Sequence, residues 1–214
     1  MFISFEGTEG SGKSTQLKLL VERLRASGYK VAVNQEPGGT VIGREIRRVL
    51  LDPAHAEMAS MTELLLMFAS RAQAAAEVIL PALSRGDLVV SDRFTDSTLA
   101  YQGAARGLGF DLVRNAHRLA LGSLQPDLTL CIDLPVEEGL ARARHRNEGN
   151  QMARSEARFD QQCLDFHLRV RAGYREIAEA EPERVRIVDG SGNSAAVFER
   201  VWALVEPALS ENRS

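Results

Sequence analysis

Short apolar runs alternate with amphipathic segments along the whole chain. Phe2–Phe5 reads as a strand that ends at Glu6-Gly7, and Leu17, Leu20, Val21 and Leu24 then recur at helical spacing up to a stop at Gly28. Val31–Val33 reads as a second strand, followed by the loop Glu36-Pro37-Gly38-Gly39-Thr40. Ile42, Ile46, Val49 and Leu50 return to a helical period, and a long helix is predicted from Thr62 to about Ser84, with Gly86 just beyond it. Leu88–Ser91 and Leu128–Ile132 are compact strand runs that end in Asp92-Arg93 and in Asp133. Arg184–Val188 is a last strand candidate and Ala195–Leu209 a closing helix. Strands of this kind separated by helices predict an α/β fold on a parallel sheet. No repeat, low-complexity tract or linker interrupts the pattern, so one domain over residues 1–214 is expected.

One stretch departs from it. Arg142 to Arg158 holds five arginines, Arg142, Arg144, Arg146, Arg154 and Arg158, with no apolar period, and reads as a flexible arm. Elsewhere the charges balance: 26 Lys+Arg against 29 Asp+Glu give a net charge of −3, which argues against a nucleic-acid coat or an anionic-membrane binder. The longest unbroken apolar run is Leu64–Ala69, too short to span a bilayer, and no charged segment precedes Phe2–Phe5 as in a secretory signal. Cys131 and Cys163 lack metal-ligand spacing. A soluble, cytoplasmic protein is therefore expected.

Gly7-Thr8-Glu9-Gly10-Ser11-Gly12-Lys13-Ser14 matches G-x-x-x-x-G-K-[ST], the phosphate-binding P-loop, with Thr15 next in line. The glycines let the backbone turn successive N–H groups inward, Lys13 adds a point charge on the outer phosphates, and the Ser14 hydroxyl can ligate Mg²⁺. A strand before the motif and an amphipathic helix after it put the helix N-terminus on the same phosphates. Glu9 would repel a nucleotide if it faced in, so it must face away. Asp92-Arg93 ends a strand at the edge where ligands bind in such sheets, so Asp92 can hold the Mg²⁺ shell and Arg93 can clamp an acceptor phosphate. The chain lacks the Asn-Lys-x-Asp base-reading motif of GTPases and is short, which favours a nucleoside monophosphate kinase.

With the Glu36–Thr40 loop the sequence resembles the bacterial thymidylate kinase family. The resemblance also rests on Leu65–Arg71, Asp92-Arg93-Phe94, Thr98–Gly103, Arg106-Gly107, Pro126–Leu130, Arg158–Gln161 and Val170–Tyr174, essentially the whole chain. It implies ATP-dependent phosphorylation of dTMP to dTDP with Mg²⁺, a five-stranded parallel sheet and a homodimer. It also implies that Phe68 and Arg71 hold thymine and that Glu9 meets the sugar 3′-hydroxyl. Thr98, Tyr101 and Gln102 would border the nucleoside, beside the Glu36-Pro37 loop.

Taken on the helix alone, Phe68 belongs with Leu64 and Leu65 in the core and Arg71 faces water; the resemblance reverses that preference. Because the P-loop carries Glu9 and no arginine, charge on the transferring phosphoryl must be met from the arm; the resemblance puts Arg158 first, at the place of the family's lid arginine, with Arg154 second. Two departures stand out: Gln35 where the family has arginine, and Ala157 where it has aspartate, with an arm a few residues longer. Another P-loop phosphotransferase, or a nucleotide-binding relative without turnover, remains open at this point.

Overall fold

The computed structural model describes residues 1–148 and 157–211. Five parallel strands form one sheet in the order β2-β3-β1-β4-β5: β1 Phe2–Glu6, β2 Val31–Gln35, β3 Leu88–Asp92, β4 Leu128–Asp133 and β5 Val185–Asp189. Central β1 is wholly buried, with Ile3 beside Leu128 in β4 and Phe5 beside Asp92 in β3. The connection leaving β1 runs to one side of the sheet and that leaving β4 to the other. The crevice at their carboxyl ends is therefore the switch point where such folds bind ligands.

Alternation along β1 assigns its two faces. Ile3 and Phe5 pack under α1 (Lys13–Ala26) and α9 (Ser194–Glu211), against Leu20, Val21, Leu24, Val197, Val201 and Val205. Helix α1 stops as its sequence predicts. Gly28 takes φ +87°, its N–H reaches Arg25 C=O at 3.0 Å and Tyr29 N–H reaches Leu24 C=O at 3.1 Å, a Schellman closure. On the other face a second core gathers Leu64, Leu99, Phe166, Val170, Tyr174 and Ile177. These come from α3 (Ser60–Ala74), a π-helical segment Leu99–Ala105 that continues α5 (Thr95–Thr98), and α8 (Leu164–Ala180). Helices α2 (Val41–Leu51) and α6 (Phe110–Leu121) flank α3.

The long predicted helix runs from Ser60 to Ser84, but not as one regular α-helix. A π turn at Ala75–Ile79 separates α3 from α4 (Leu80–Ser84). Pro81 lies just past that turn, and a wider turn absorbs the missing N–H and ring bulk of a helical proline. By length and apolar content Ser60–Ser84 is the one membrane-length helix among the described residues. It nevertheless buries Glu63 and Arg71, each paired inside the protein, as a core helix does. The predicted stripe of α2 is only half used: Leu50 is buried, while Ile42 and Val49 are exposed.

The expected flexible arm is corrected at its start. Helix α7 spans Val136–Asn147 and takes in Arg142, whose guanidinium pairs with Glu138 one turn back at 2.5 Å. The P-loop packs directly on this helix. A β-carbon on Gly139 would stand 2.4 Å from Glu9 C=O, and one on Gly10, at φ +67°, would stand 1.9 Å from Gly139 C=O. Gly139→Ala should therefore push α7 and the P-loop apart, costing about 1–3 kcal/mol of stability as overpacking does. Urea unfolding measures this, and an unchanged midpoint would show that the contact yields freely.

Candidate active site

The P-loop turns from β1 into α1 through Gly12, at φ +97°, and Lys13 opens the helix. The Lys13 side chain is buried and curls back over the loop, donating to Gly7 C=O at 2.9 Å and Thr8 C=O at 2.7 Å. Burial, then the neighbouring Arg93 charge, pulls its ammonium down to about 8 against Asp92, Glu9 and Glu6. Ser14 Oγ donates to Asp92 Oδ2 at 2.8 Å, so a hydroxyl and a carboxylate sit together at the mouth of the loop. A cavity of about 370 Å³ opens there. Its wall runs from Glu9, Gly10, Lys13 and Ser14, past Asp92 and Arg93, to Gln35, Glu36, Pro37 and Arg71.

Arg93 dominates the middle of this wall. It has φ +71°, uncommon for a side-chain-bearing residue, with its N–H on Phe5 C=O at 2.9 Å. Its Nη1 donates to Gly7 C=O (3.0 Å), Ser97 Oγ (2.9 Å) and Tyr174 Oη (3.0 Å). Its Nη2 faces Tyr101 Oη at 3.1 Å and Glu9 Oε1 at 3.5 Å. Behind it lies Glu6, fully buried at the end of β1. Glu6 accepts from Phe94 N–H at 2.7 Å, from Tyr174 Oη at 3.1 Å and from Ser97 Oγ. Burial, then the Asp96 carboxylate, pushes Glu6 up to about 7, against Arg93, Ser97 and the Phe94 N–H.

Glu9 faces Arg93 and the second core. Its Oε1 accepts from Tyr101 Oη at 2.6 Å and its Oε2 lies 3.1 Å from His167 Nδ1. Burial alone would raise its carboxyl, but His167, Arg93 and Lys13 together hold it down at about 2. At the far end Arg71 Nε pairs with Glu36 and Nη2 donates to Phe94 C=O at 3.1 Å, while Nη1 has no partner among the described residues. Thr98, Tyr101 and Gln102 all line the cavity. The last two lie on the π-helical segment, where a turn takes more residues than in an α-helix.

Other expected site residues lie elsewhere. Phe68 does not line the cavity. It is buried in the second core, with the Arg71 guanidinium 5.0 Å from its ring centroid, and Met67 takes the wall instead. Arg158 is likewise buried. Its Nε donates to Leu50 C=O and its Nη2 lies 2.7 Å from Glu63 Oε2, a carboxylate shared with Arg106 and Gln102. The arm arginine expected over the transferring phosphoryl is here an internal anchor, because a buried Glu63 demands guanidinium partners. Arg154 lies outside the described residues. Ala157 is buried beside Arg158. The sequence reading also missed Arg47, which joins Gln35 on the cavity wall, and the buried partners Glu6, Tyr174 and His167. For Glu6 there was a signal, a carboxylate closing an apolar strand. Arg47 had none among its arginine neighbours on α2.

The sheet order, the P-loop after β1 and a cleft reaching from it to a second set of recognition groups define a P-loop kinase. Comparison with known proteins narrows the class. A sequence model described as thymidylate kinase matches residues 5–201. The thymidylate kinase of Desulfovibrio desulfuricans is 52% identical over 191 residues, 89% of this chain and 88% of that one. That of Syntrophotalea carbinolica is 47% identical over 209 residues, 98% and 96% of the two chains. The crystal structure of thymidylate kinase from Ehrlichia chaffeensis superimposes with a TM-score of 0.76 at 31% identity, covering 96% of this chain and 98% of that one. The chain belongs to the thymidylate kinase family.

Arg158→Ala strips a buried guanidinium from Glu63 and should cost about 3–5 kcal/mol, read as a lower urea midpoint. A parental midpoint would remove the anchor role. Glu6 offers a pH test. Its folded value lies above the carboxylate's ordinary 4.5. The stability this adds is therefore fully present below about pH 4.5 and is lost as pH rises through about 7. Glu6→Gln deletes that dependence, so its melting temperature should fall less than the parent's between pH 5 and 7.5. Parallel curves would place the titration elsewhere.

Proposed function

We propose the following division of labour along the cleft of this thymidylate kinase, an enzyme that moves the γ-phosphoryl group of ATP to dTMP. The single observation that supports it is the continuity of one cavity from Lys13 to Arg71. Gly7–Thr15 cradle the ATP phosphates, with Lys13 released from its loop carbonyls to the outer phosphates. Ser14 and Asp92 offer only oxygen donors, 2.8 Å apart, which suits Mg²⁺ held between the protein and phosphate oxygens. When bound, the ion neutralises charge on the phosphates.

Arg93 gives up one of its protein acceptors to an oxygen of the dTMP phosphate, and Arg47 adds charge on the side where Gln35 brings none. Glu9 and Tyr101 meet the sugar. Thymine lies toward Glu36, Pro37 and Arg71, whose unpartnered Nη1 donates to a base carbonyl, with Met67, Thr98 and Gln102 as walls. Phe68 supports Arg71 from beneath. The transferring phosphoryl carries its charge on peripheral oxygens and needs positioning more than covalent chemistry, so no side chain is assigned as nucleophile. The charge of that group is met from the arginine-rich stretch by Arg154, because the Arg158 guanidinium is taken up by Glu63 and Leu50 C=O.

The whole chain works as one catalytic domain in the cytoplasm, as a homodimer. Apolar side chains left exposed on the adjoining helices α2 and α3, namely Ile42, Val49, Met61 and Leu65, support a partner there.

A coupled assay with ATP and Mg²⁺ against dTMP, dUMP, dCMP and dGMP should give turnover highest with dTMP; equal rates would remove the base assignment. Arg71→Lys keeps a cation beside Glu36 but loses the fork that also reaches a base carbonyl. It should raise KM for dTMP roughly tenfold or more, the size of one charge-assisted hydrogen bond, with KM for ATP unchanged. A matched rise in both constants would count against base recognition.

A further inference from the structure

His167 lies on α8, within a turn of the helix start, and is fully buried. Its Nδ1 is 3.1 Å from Glu9 Oε2, while its Nε2 is buried with no hydrogen-bond partner among the described residues. Packing alone does not explain this residue. The Phe166 ring stands edge-on to it at 5.5 Å in an otherwise apolar core, where a phenylalanine would fill the space without stranding a polar nitrogen. The one polar bond it does make is therefore what the imidazole contributes.

That bond has a defined sense. An ionised carboxylate only accepts, so the ring carries its hydrogen on Nδ1 and donates to Oε2. Oε1 is then left facing Tyr101 Oη and the cavity. Glu9 has another cation within its field, Lys13, which depresses it and is raised by it in turn. A Glu9 side chain free to rotate would be drawn toward that ammonium and would cancel the charge meant for phosphate. We propose that His167 is a positioning residue: it tethers one oxygen of Glu9 so that the other is presented to the 3′-hydroxyl of the acceptor nucleotide, away from Lys13. The proposal rests on the assignment of Glu9 to the sugar made above.

The test compares kcat/KM for dTMP with that for 3′-deoxythymidine monophosphate, which lacks only the hydroxyl in question. Glu9→Gln should reduce the preference for dTMP by roughly tenfold or more, the worth of a hydrogen bond to a charged group. His167→Phe should reduce it by a similar factor with little change in KM for ATP. The Glu9→Gln/His167→Phe double variant should lose no more than Glu9→Gln alone, because His167 acts through Glu9. A parental preference in His167→Phe, with Glu9→Gln impaired, would overturn the positioning role and leave the sugar assignment standing. An unchanged preference in Glu9→Gln would overturn that assignment, and the positioning role with it. Should thermal melts show His167→Phe unfolded, His167→Asn and His167→Gln carry the test. The asparagine amide reaches the place of Nδ1 and should retain the preference, while glutamine should lose it. Equal behaviour of these two would overturn the proposal.

Discussion

A guanidinium taken out of water needs compensating charge and an acceptor for nearly every N–H, and Arg93 imposes that requirement at the carboxyl end of β3. The surrounding structure answers it. Glu6 at the end of β1, Glu9 in the P-loop, Tyr101 on the π-helical segment and Tyr174 on α8 all converge on this one side chain or on its partners. Four separate elements are thereby held in register with the P-loop carbonyl of Gly7. The positive φ of Arg93 is the local cost of aiming the group inward, and a network this dense can sustain it. The cleft takes its shape from electrostatic closure as much as from apolar packing.

The parts of this arrangement that are local were legible in the sequence. Each strand is a short apolar run that ends in a polar or charged residue, and each of those ends lies at the ligand edge. The P-loop and Asp92-Arg93 are contiguous segments whose chemistry does not depend on what packs against them. The stop of α1 follows from Gly28.

What escaped the sequence depends on neighbours far along the chain. Helical spacing alone puts Phe68 with Leu64 in the core, where it lies, and the resemblance overrides it; that Met67, about 100° round the helix, faces the cleft follows from neither reading. The resemblance puts Arg158 first over the transferring phosphoryl, and nothing local announces its buried partner Glu63, far upstream on α3. The resemblance, not spacing, brings Thr98, Tyr101 and Gln102 together, and they line the cavity from a segment that is π-helical from Leu99, which no local pattern announces. The start of the arginine-rich stretch has little apolar content, yet it continues α7, whose buried Val136, Leu140 and Ala143 dock it.

Met67 on the cavity wall has a consequence for inhibitor chemistry. An aromatic wall selects ligands by flat, rigid fit, and small changes in ring substitution then carry large penalties. A thioether on an unbranched chain has several rotamers of similar energy and a polarisable sulfur, and it yields to the shape set against it. With Phe68 turned into the core and Met67 outward, this cavity is bounded by a deformable surface on one side and by the fixed Arg71–Glu36 pair on the other. Substituents directed at the methionine would be accommodated and gain contact area, whereas those directed at the ion pair would meet a site that cannot adjust. Contact area is therefore better sought on the soft side, and discrimination between ligands at the ion pair.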